Sequence, residues 1–337
     1  MVIDDKFYIS LALQEAWRYQ LLTFPNPSVG ALVVKNGEIL SLEAHQRAGD
    51  AHAEVLALKA AYLKKNKDLL LEELQESSKI HRYLINNHKG FFYDCELYIT
   101  LEPCNHIGKT PACSDLIATL HPKRVIISIK DPNKQASGGI EKLKSKGIEV
   151  ISGVCKKEGL ALLYPFMQTI QNNRFIFFKL ATRANGSING GYITSKESLR
   201  LVHKLRAVID LLVIGGNSVR IDRPTLDCRF IDSTKAPNVL IYSKNRDFDQ
   251  TIPLFNVENR DVVIENSIDF VNGLTMIEGG YNLLKTLYDK IDLLMLFISP
   301  NIKNNNDILL LDELRFEILY SRQIGEDMLV FLKKADI

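Results

Sequence analysis

Apolar side chains at Phe7, Leu11, Ala12 and Trp17 recur at helical spacing, which predicts a helix over Phe7 to Gln20. The period then changes. Val29 to Lys35 is rich in β-formers, and Asn36-Gly37 ahead of Glu38 to Leu42 supplies two residues that accept positive φ, as a type I′ hairpin turn requires. Ala53 to Lys64 reads as a helix, Glu96 to Thr100 as a strand, Ala112 to Leu120 as a helix and Arg124 to Ile129 as a strand. Between Lys64 and Phe92 the chain is polar, with charged runs over Glu72 to Glu76 and Lys79 to Lys89. This insertion is expected to be a solvated helix plus loop on the surface, without a function of its own.

Gly153 to Asn173 has the amphipathic pattern of a connecting helix, and a second series follows it. The series runs strand (Phe175 to Leu180), helix (Lys196 to Arg206), strands at Leu211 to Ile214, Val239 to Tyr242, Val262 to Ile264 and Leu274 to Ile277, helix (Tyr281 to Leu287) and strand (Leu293 to Ile298). Strands alternating with helices argue for layered α/β architecture in both halves. No internal repeat is visible.

At 337 residues the chain is long enough for two domains of roughly 150 residues, each with its own core, and we place them at 1–152 and 153–337. Forty-two basic against 40 acidic side chains give a net charge of +2, which supplies no general field for a nucleic-acid partner. The most hydrophobic segment, Leu293 to Ile298, is strand-sized, so no membrane partner is expected. Acids in Met1 to Lys6 argue against a secretory signal, and five cysteines, an odd count, fit reduced thiols in the cytoplasm. Whether the chain forms a homo-oligomer is left open.

The strongest chemical pattern is His52-Ala53-Glu54, followed about fifty residues later by Glu102-Pro103-Cys104 and then Cys113. One imidazole and two thiolates make three tetrahedral zinc ligands and leave a fourth position for water, the arrangement of a catalytic rather than a structural site. Glu54, two residues from the histidine at a helix start, is suited to carry protons without ligating. Zinc nucleobase deaminases share this signature with two residues between the cysteines, whereas here there are eight. A structural zinc module closed by Cys95 is the competing reading, and a polynucleotide-editing protein would need a basic, aromatic groove that the composition does not suggest.

The first half resembles the bifunctional deaminase–reductases of riboflavin biosynthesis. The resemblance rests on Pro25-Asn26-Pro27-Ser28-Val29-Gly30, His45-Gln46-Arg47-Ala48-Gly49, His52-Ala53-Glu54-Val55, Thr100 to His106 leading through Gly108-Lys109-Thr110-Pro111 to Cys113, and Asp131-Pro132-Asn133. It implies a three-layer cytidine-deaminase-like fold with zinc on His52, Cys104 and Cys113 and Glu54 as the catalytic proton carrier. The implied substrate is a phosphorylated small molecule, a diaminopyrimidinone bearing a ribosylamino 5-phosphate, which loses ammonia to water. Asn26, His45, His106, Lys109, Asp131 and Asn133 are then expected at that substrate. One departure lies at Ser137-Gly138-Gly139, a residue shorter than the family's usual glycine pair.

No Gly-x-Gly-x-x-Gly follows a predicted strand, so a Rossmann dinucleotide site has no support. The second half instead resembles the same family's reductase domain, which has a dihydrofolate-reductase-like fold and uses NADPH. The matching segments include Lys179-Leu180, Ile193-Thr194-Ser195, Leu205-Arg206-Ala207, Gly216-Asn217-Ser218-Val219, Pro224-Thr225-Leu226 and Glu278-Gly279-Gly280. By position, Arg206, Leu226, Arg229 and Glu278 are expected at the reductase substrate, and Ala181, Tyr192, Thr194, Ser218, Asp222 and Gly280 at the cofactor. Departures at Arg183, Asn185 and Arg223, with a shortened loop from Gly186 to Ile193, raise the alternative of a deaminase with a degenerate second domain.

Overall fold

A computed structural model describes residues 3–106, 108, 110–233, 235–303 and 313–335 of the chain. Contacts divide it into two compact units, Met1–Met167 and Gln168–Ile337. The division falls within the helix that the amphipathic stretch after Gly153 predicts.

In the first unit α1 (Asp5–Trp17) starts where Asp4 accepts the Phe7 amide at 3.0 Å, satisfying a donor the helix itself cannot use. Strands β1 (Gly30–Lys35) and β2 (Glu38–Ala44) form the expected hairpin, with both turn residues at positive φ, Asn36 at 50° and Gly37 at 80°. Then come α2 (Ala53–Lys65), α3 (Leu69–Glu73), α4 (Ser77–Asn87), β3 (Cys95–Leu101), α5 (Cys113–Leu120) and β4 (Arg124–Ile129). The unit closes with α6 (Gly139–Ser145), β5 (Glu149–Ser152) and most of α7 (Lys156–Asn172). The sheet runs β2-β1-β3-β4-β5, antiparallel at β2-β1-β3 and parallel at β3-β4-β5. Ala31, Val33, Leu97, Ile99, Val125 and Ile127 pack into one core with α2 and α5. The residues alternating with them, Leu32, Tyr98 and Ile126, are equally buried on the opposite face, where α1 packs.

The insertion differs from its sequence expectation. Leu71 of α3 and Ile80 and Leu84 of α4 are fully buried in that same core. Leu69, Leu70 and Ile85 are exposed, as are the charged residues between them, so the segment supplies core as well as surface. The charged runs masked a narrow apolar stripe.

The second unit contains β6 (Arg174–Arg183), α8 (Lys196–Val208), β7 (Leu211–Gly215), α9 (Gly216–Asp222), β8 (Asn238–Tyr242) and β9 (Val262–Glu265). After these come β10 (Gly273–Glu278), α10 (Tyr281–Leu287), β11 (Leu293–Ser299), β12 (Phe316–Ile324) and β13 (Asp327–Lys334). Its sheet runs β12-β13-β11-β6-β10-β7-β8-β9, parallel from β11 to β9 and ending in an antiparallel hairpin. Phe175, Ile176, Phe177 and Phe178 are all buried, as expected for a central parallel strand covered on both faces. Return of the chain to insert β10 between β6 and β7 creates the kind of switch point outside whose carboxyl ends ligands bind in open α/β sheets.

Candidate active sites

In the first unit three distant pieces of chain meet. His52 is the residue before α2, Cys104 lies just beyond β3, and Cys113 opens α5. Their ligand atoms all fall within 4.8 Å of one another. His52 Nδ1 is 3.4 Å from Cys113 Sγ and 3.7 Å from Cys104 Sγ, and the Cys113 amide donates to Cys104 Sγ at 3.3 Å. A tetrahedral zinc with its usual bond lengths has N···S and S···S edges of about 3.5–3.8 Å. The donor set therefore fits zinc in both chemistry and spacing. Cys95 is elsewhere: its thiol turns to the Phe91 carbonyl at 3.7 Å, and it is outside this cluster.

Glu54, in the first turn of α2, is 4% exposed, and burial pushes its carboxyl up to about 7. His45 is buried next to His52, its ring 5.4 Å from that of His52 and edge-on to it. Burial pulls its pKa down to about 4, so the ring is neutral at neutral pH. Its Nδ1 meets the Ala51 carbonyl at 3.1 Å and must donate there, which leaves Nε2 to accept from Asn26 Nδ2 at 3.2 Å. The structure thus brings Asn26 and His45 together at the metal cluster.

Asp131 lies within electrostatic reach of Cys104 and His106, and burial raises its pKa. Its carboxylate accepts the Asn133 amide at 2.8 Å, and Asn133 in turn accepts the Gln135 amide at 3.1 Å. His106 is exposed, and Lys109 lies outside the described residues.

Sequence reasoning assigned no role to Glu102. It is 5% exposed, and its carboxylate gathers three backbone amides: Asp131 at 3.1 Å, Gly138 at 3.0 Å and Ile140 at 3.1 Å. The signal available was an acid at the end of an apolar strand. The shortened glycine pair fits this knot, because Gly138 has φ +103° and a Cβ on Gly139 would come 2.1 Å from the Pro103 carbonyl oxygen.

In the second unit Arg206, near the end of α8, grips Glu278 at the end of β10 through two parallel bonds of 3.0 Å. Both side chains are nearly buried. Burial works against ionisation of Glu278, but Arg206 and Lys179 outweigh it and leave its pKa below the usual value. Lys179, beside Glu278 in the β6–β10 register, is a second residue that was not assigned to the site; burial pulls its pKa down. Arg229 pairs with Asp227 at 2.8 Å and reaches the Tyr192 hydroxyl at 3.4 Å. Leu226 is buried and left-handed, with φ +58°.

Ala181 lies on β6, Thr194 in the loop before α8, Ser218 and Asp222 on α9, and Gly280 just ahead of α10. The turns that follow β7 and β10 are both backed closely by side chains. A Cβ on Gly216 would approach Ser243 Oγ to 2.7 Å, and one on Gly280 would approach Ile188 Cδ1 to 2.8 Å. The three departures have local partners. Arg183 donates to the Asn189 carbonyl at 2.6 Å within its own short loop, Asn185 donates to the Lys303 carbonyl at 2.7 Å, and Arg223 pairs with Asp249 at 2.6 Å.

Residues 2–129 match the family described as the cytidine and deoxycytidylate deaminase zinc-binding region, and residues 179–330 match the RibD C-terminal domain. The riboflavin biosynthesis protein RibD of Aquifex aeolicus is 36% identical over 267 residues, covering 77% of this chain and 67% of that protein. Its Escherichia coli counterpart is 32% identical over 250 residues, covering 72% and 61%. The chain thus aligns with about three-fifths to two-thirds of the length of these relatives. Among solved structures, a diaminohydroxyphosphoribosylaminopyrimidine deaminase/5-amino-6-(5-phosphoribosylamino)uracil reductase from Thermotoga maritima superposes with a TM-score of 0.66. It is 25% identical, with 98% of this chain and 99% of that one covered.

Proposed function

The chain belongs to the RibD family of riboflavin-biosynthesis proteins, and from that membership we propose that it is a two-step enzyme. In this reading the first unit hydrolytically deaminates 2,5-diamino-6-(5-phosphoribosylamino)pyrimidin-4-one, and the second reduces the ribosyl group of the product to ribityl. The observation that carries the reading is the convergence of His52, Cys104 and Cys113 at tetrahedral spacing beside the buried acid Glu54. We assign the deaminase to residues 1–152 and the reductase to 153–337.

His52, Cys104 and Cys113 would hold zinc, which when bound lowers the pKa of a water toward neutrality. Glu54 takes a proton from the attacking water and returns it to the departing amine without changing its own net state over the cycle. Neutral His45 fixes the Asn26 carboxamide through Nε2, which orients that amide for the pyrimidine ring. We assign His106, Asp131 and Asn133 to the ring and ribose-phosphate end, and Lys109 to the same end on the resemblance alone, with Glu102 holding the Asp131 loop in place.

In the second unit Ala181, Tyr192, Thr194, Ser218, Asp222 and Gly280 would hold NADPH, which when bound supplies hydride. What supports this is the switch point at the carboxyl ends of the neighbouring parallel strands β7 and β10, where ligands bind in open α/β sheets. Arg229 offers its guanidinium to the ribose phosphate, while Arg206 and Glu278, locked together as an ion pair, and Leu226 are assigned to the same substrate. The match of residues 179–330 to the RibD C-terminal domain supports an intact second unit over a degenerate one.

Among the described residues no helix is long and apolar enough to cross a membrane. The five unpaired thiols suit a reducing, cytoplasmic setting. The test is a two-step assay on the purified chain with metal analysis. Ammonia release from the diaminopyrimidinone should accompany about one zinc per chain, and NADPH should be oxidised only once the deaminated product is present. Failure of either step removes that half of the reading.

A further inference from the structure

We propose that Arg260 is a positioning residue of the reductase site, holding Thr225 to Asp227 in the backbone shape from which Leu226 and Arg229 meet the substrate. The proposal rests on the reading of the second unit as a reductase. No matched motif contains Arg260; it sits in the loop ahead of β9, 34 residues beyond Leu226.

Three consecutive carbonyls of the segment end on guanidinium groups. Arg260 Nη2 donates to the Thr225 carbonyl and Nη1 to the Leu226 carbonyl at 2.9 Å, while Arg206 Nη1 donates to the Asp227 carbonyl at 3.1 Å. Arg260 Nη2 also reaches the Leu254 carbonyl at 2.8 Å, which ties the segment to a separate turn. Left-handed backbone is unfavourable for a leucine, and Leu226 adopts it with φ +58°. Such a conformation persists only where its surroundings over-determine it, and the two forks on either side of Leu226 do so.

The clamp also sets the next residues. Asp227 is held by Arg206 through its carbonyl and pairs with Arg229 through its carboxylate at 2.8 Å, so the placement of the Arg229 guanidinium depends on this segment. Burial draws the pKa of Arg260 down to about 10, and the group remains a cation at neutral pH. A neutral donor could reproduce one of the carbonyl bonds; the fork makes three.

The test uses the full chain with Arg260→Met and Arg260→Lys. Ribose 5-phosphate is the calorimetric probe, and NADPH oxidation on the deaminated substrate is the kinetic readout. Loosening the segment should weaken the probe and raise KM by about tenfold in Arg260→Met, with kcat changed far less, since a misplaced binding group is costly even when the chemistry is untouched. Arg260→Lys should fall between the two, and millimolar methylguanidinium should restore probe affinity to Arg260→Met. Ammonia release by the first unit checks that the variant chain is intact. Unchanged KM and probe affinity in both variants overturns the proposal, as does a defect that neither lysine nor methylguanidinium relieves. If the unsubstituted chain neither binds the probe nor oxidises NADPH, the reductase reading itself fails and the proposal falls with it.

Discussion

Replacing Glu102 by glutamine keeps shape and removes charge from the knot of three amides beneath the deaminase site. The two Oε1 bonds, to the amides of Gly138 and Ile140, survive but become neutral, each weaker by about 1 kcal/mol. The Asp131 amide, now facing an NH2 group in place of Oε2, loses its acceptor, at a cost of about 1–3 kcal/mol. The total is about 3–5 kcal/mol, which for a unit of this size lowers the unfolding midpoint by about 6–20 °C. Scanning calorimetry of the full chain should therefore show the first unit's transition moving down and the second unit's staying in place. Zinc content should be retained and KM for deamination should rise, because the Asp131 loop is less well fixed. A first transition displaced by less than about 2 °C would refute the claim that this carboxylate organises the loop.

Glu54→Gln should keep its zinc and lose about 10²–10⁴-fold in ammonia release, with NADPH oxidation on the deaminated substrate unchanged; native-rate deamination contradicts the role given to Glu54. Cys104→Ser should lower zinc content by metal analysis and destabilise the first unit, since metal binding and folding are coupled. Treatment with a chelator should likewise abolish deamination and spare NADPH oxidation. In the second unit, burial holds the pKa of His203 down to about 4, against an ordinary value of 6.5. The unfolded chain binds the extra proton first, so this unit's stability should fall by up to about 3 kcal/mol as pH drops from 6.5 to 4. His203→Gln, which can still accept the Phe230 amide, should flatten that slope in denaturant titrations at several pH values.

The hairpin, α2, β4 and α10 were legible because their local chemistry and their tertiary burial agree: Asn36-Gly37 wants the conformation the turn takes, and the apolar periods match the faces that are covered. The zinc residues were legible for a different reason, since few folds bring His52, Cys104 and Cys113 into one pattern with Glu54 alongside. The helices α6 and α9 escaped because each opens on a glycine, Gly139 and Gly216, a residue that reads as a turn. The hairpin β12–β13 escaped because β12 has few buried positions and its alternation is weak. Glu102 and Lys179 were visible as residues and opaque as roles: an acid holding three amides, or a lysine beside a buried ion pair, depends on neighbours contributed by distant chain.

The insertion was misjudged because one buried leucine in a run of three, followed by acids, has the composition of a surface excursion. Its Leu71, Ile80 and Leu84 fill space shared with α2, which His52 precedes, and α5, which Cys113 opens. Cutting it back to a short linker would open holes beneath the very helices whose first residues bear the ligands, so a trimmed enzyme would lose rigidity where its chemistry is done. The segment is a foundation of the site and not an accessory to it, and removing it would require that interior to be refilled.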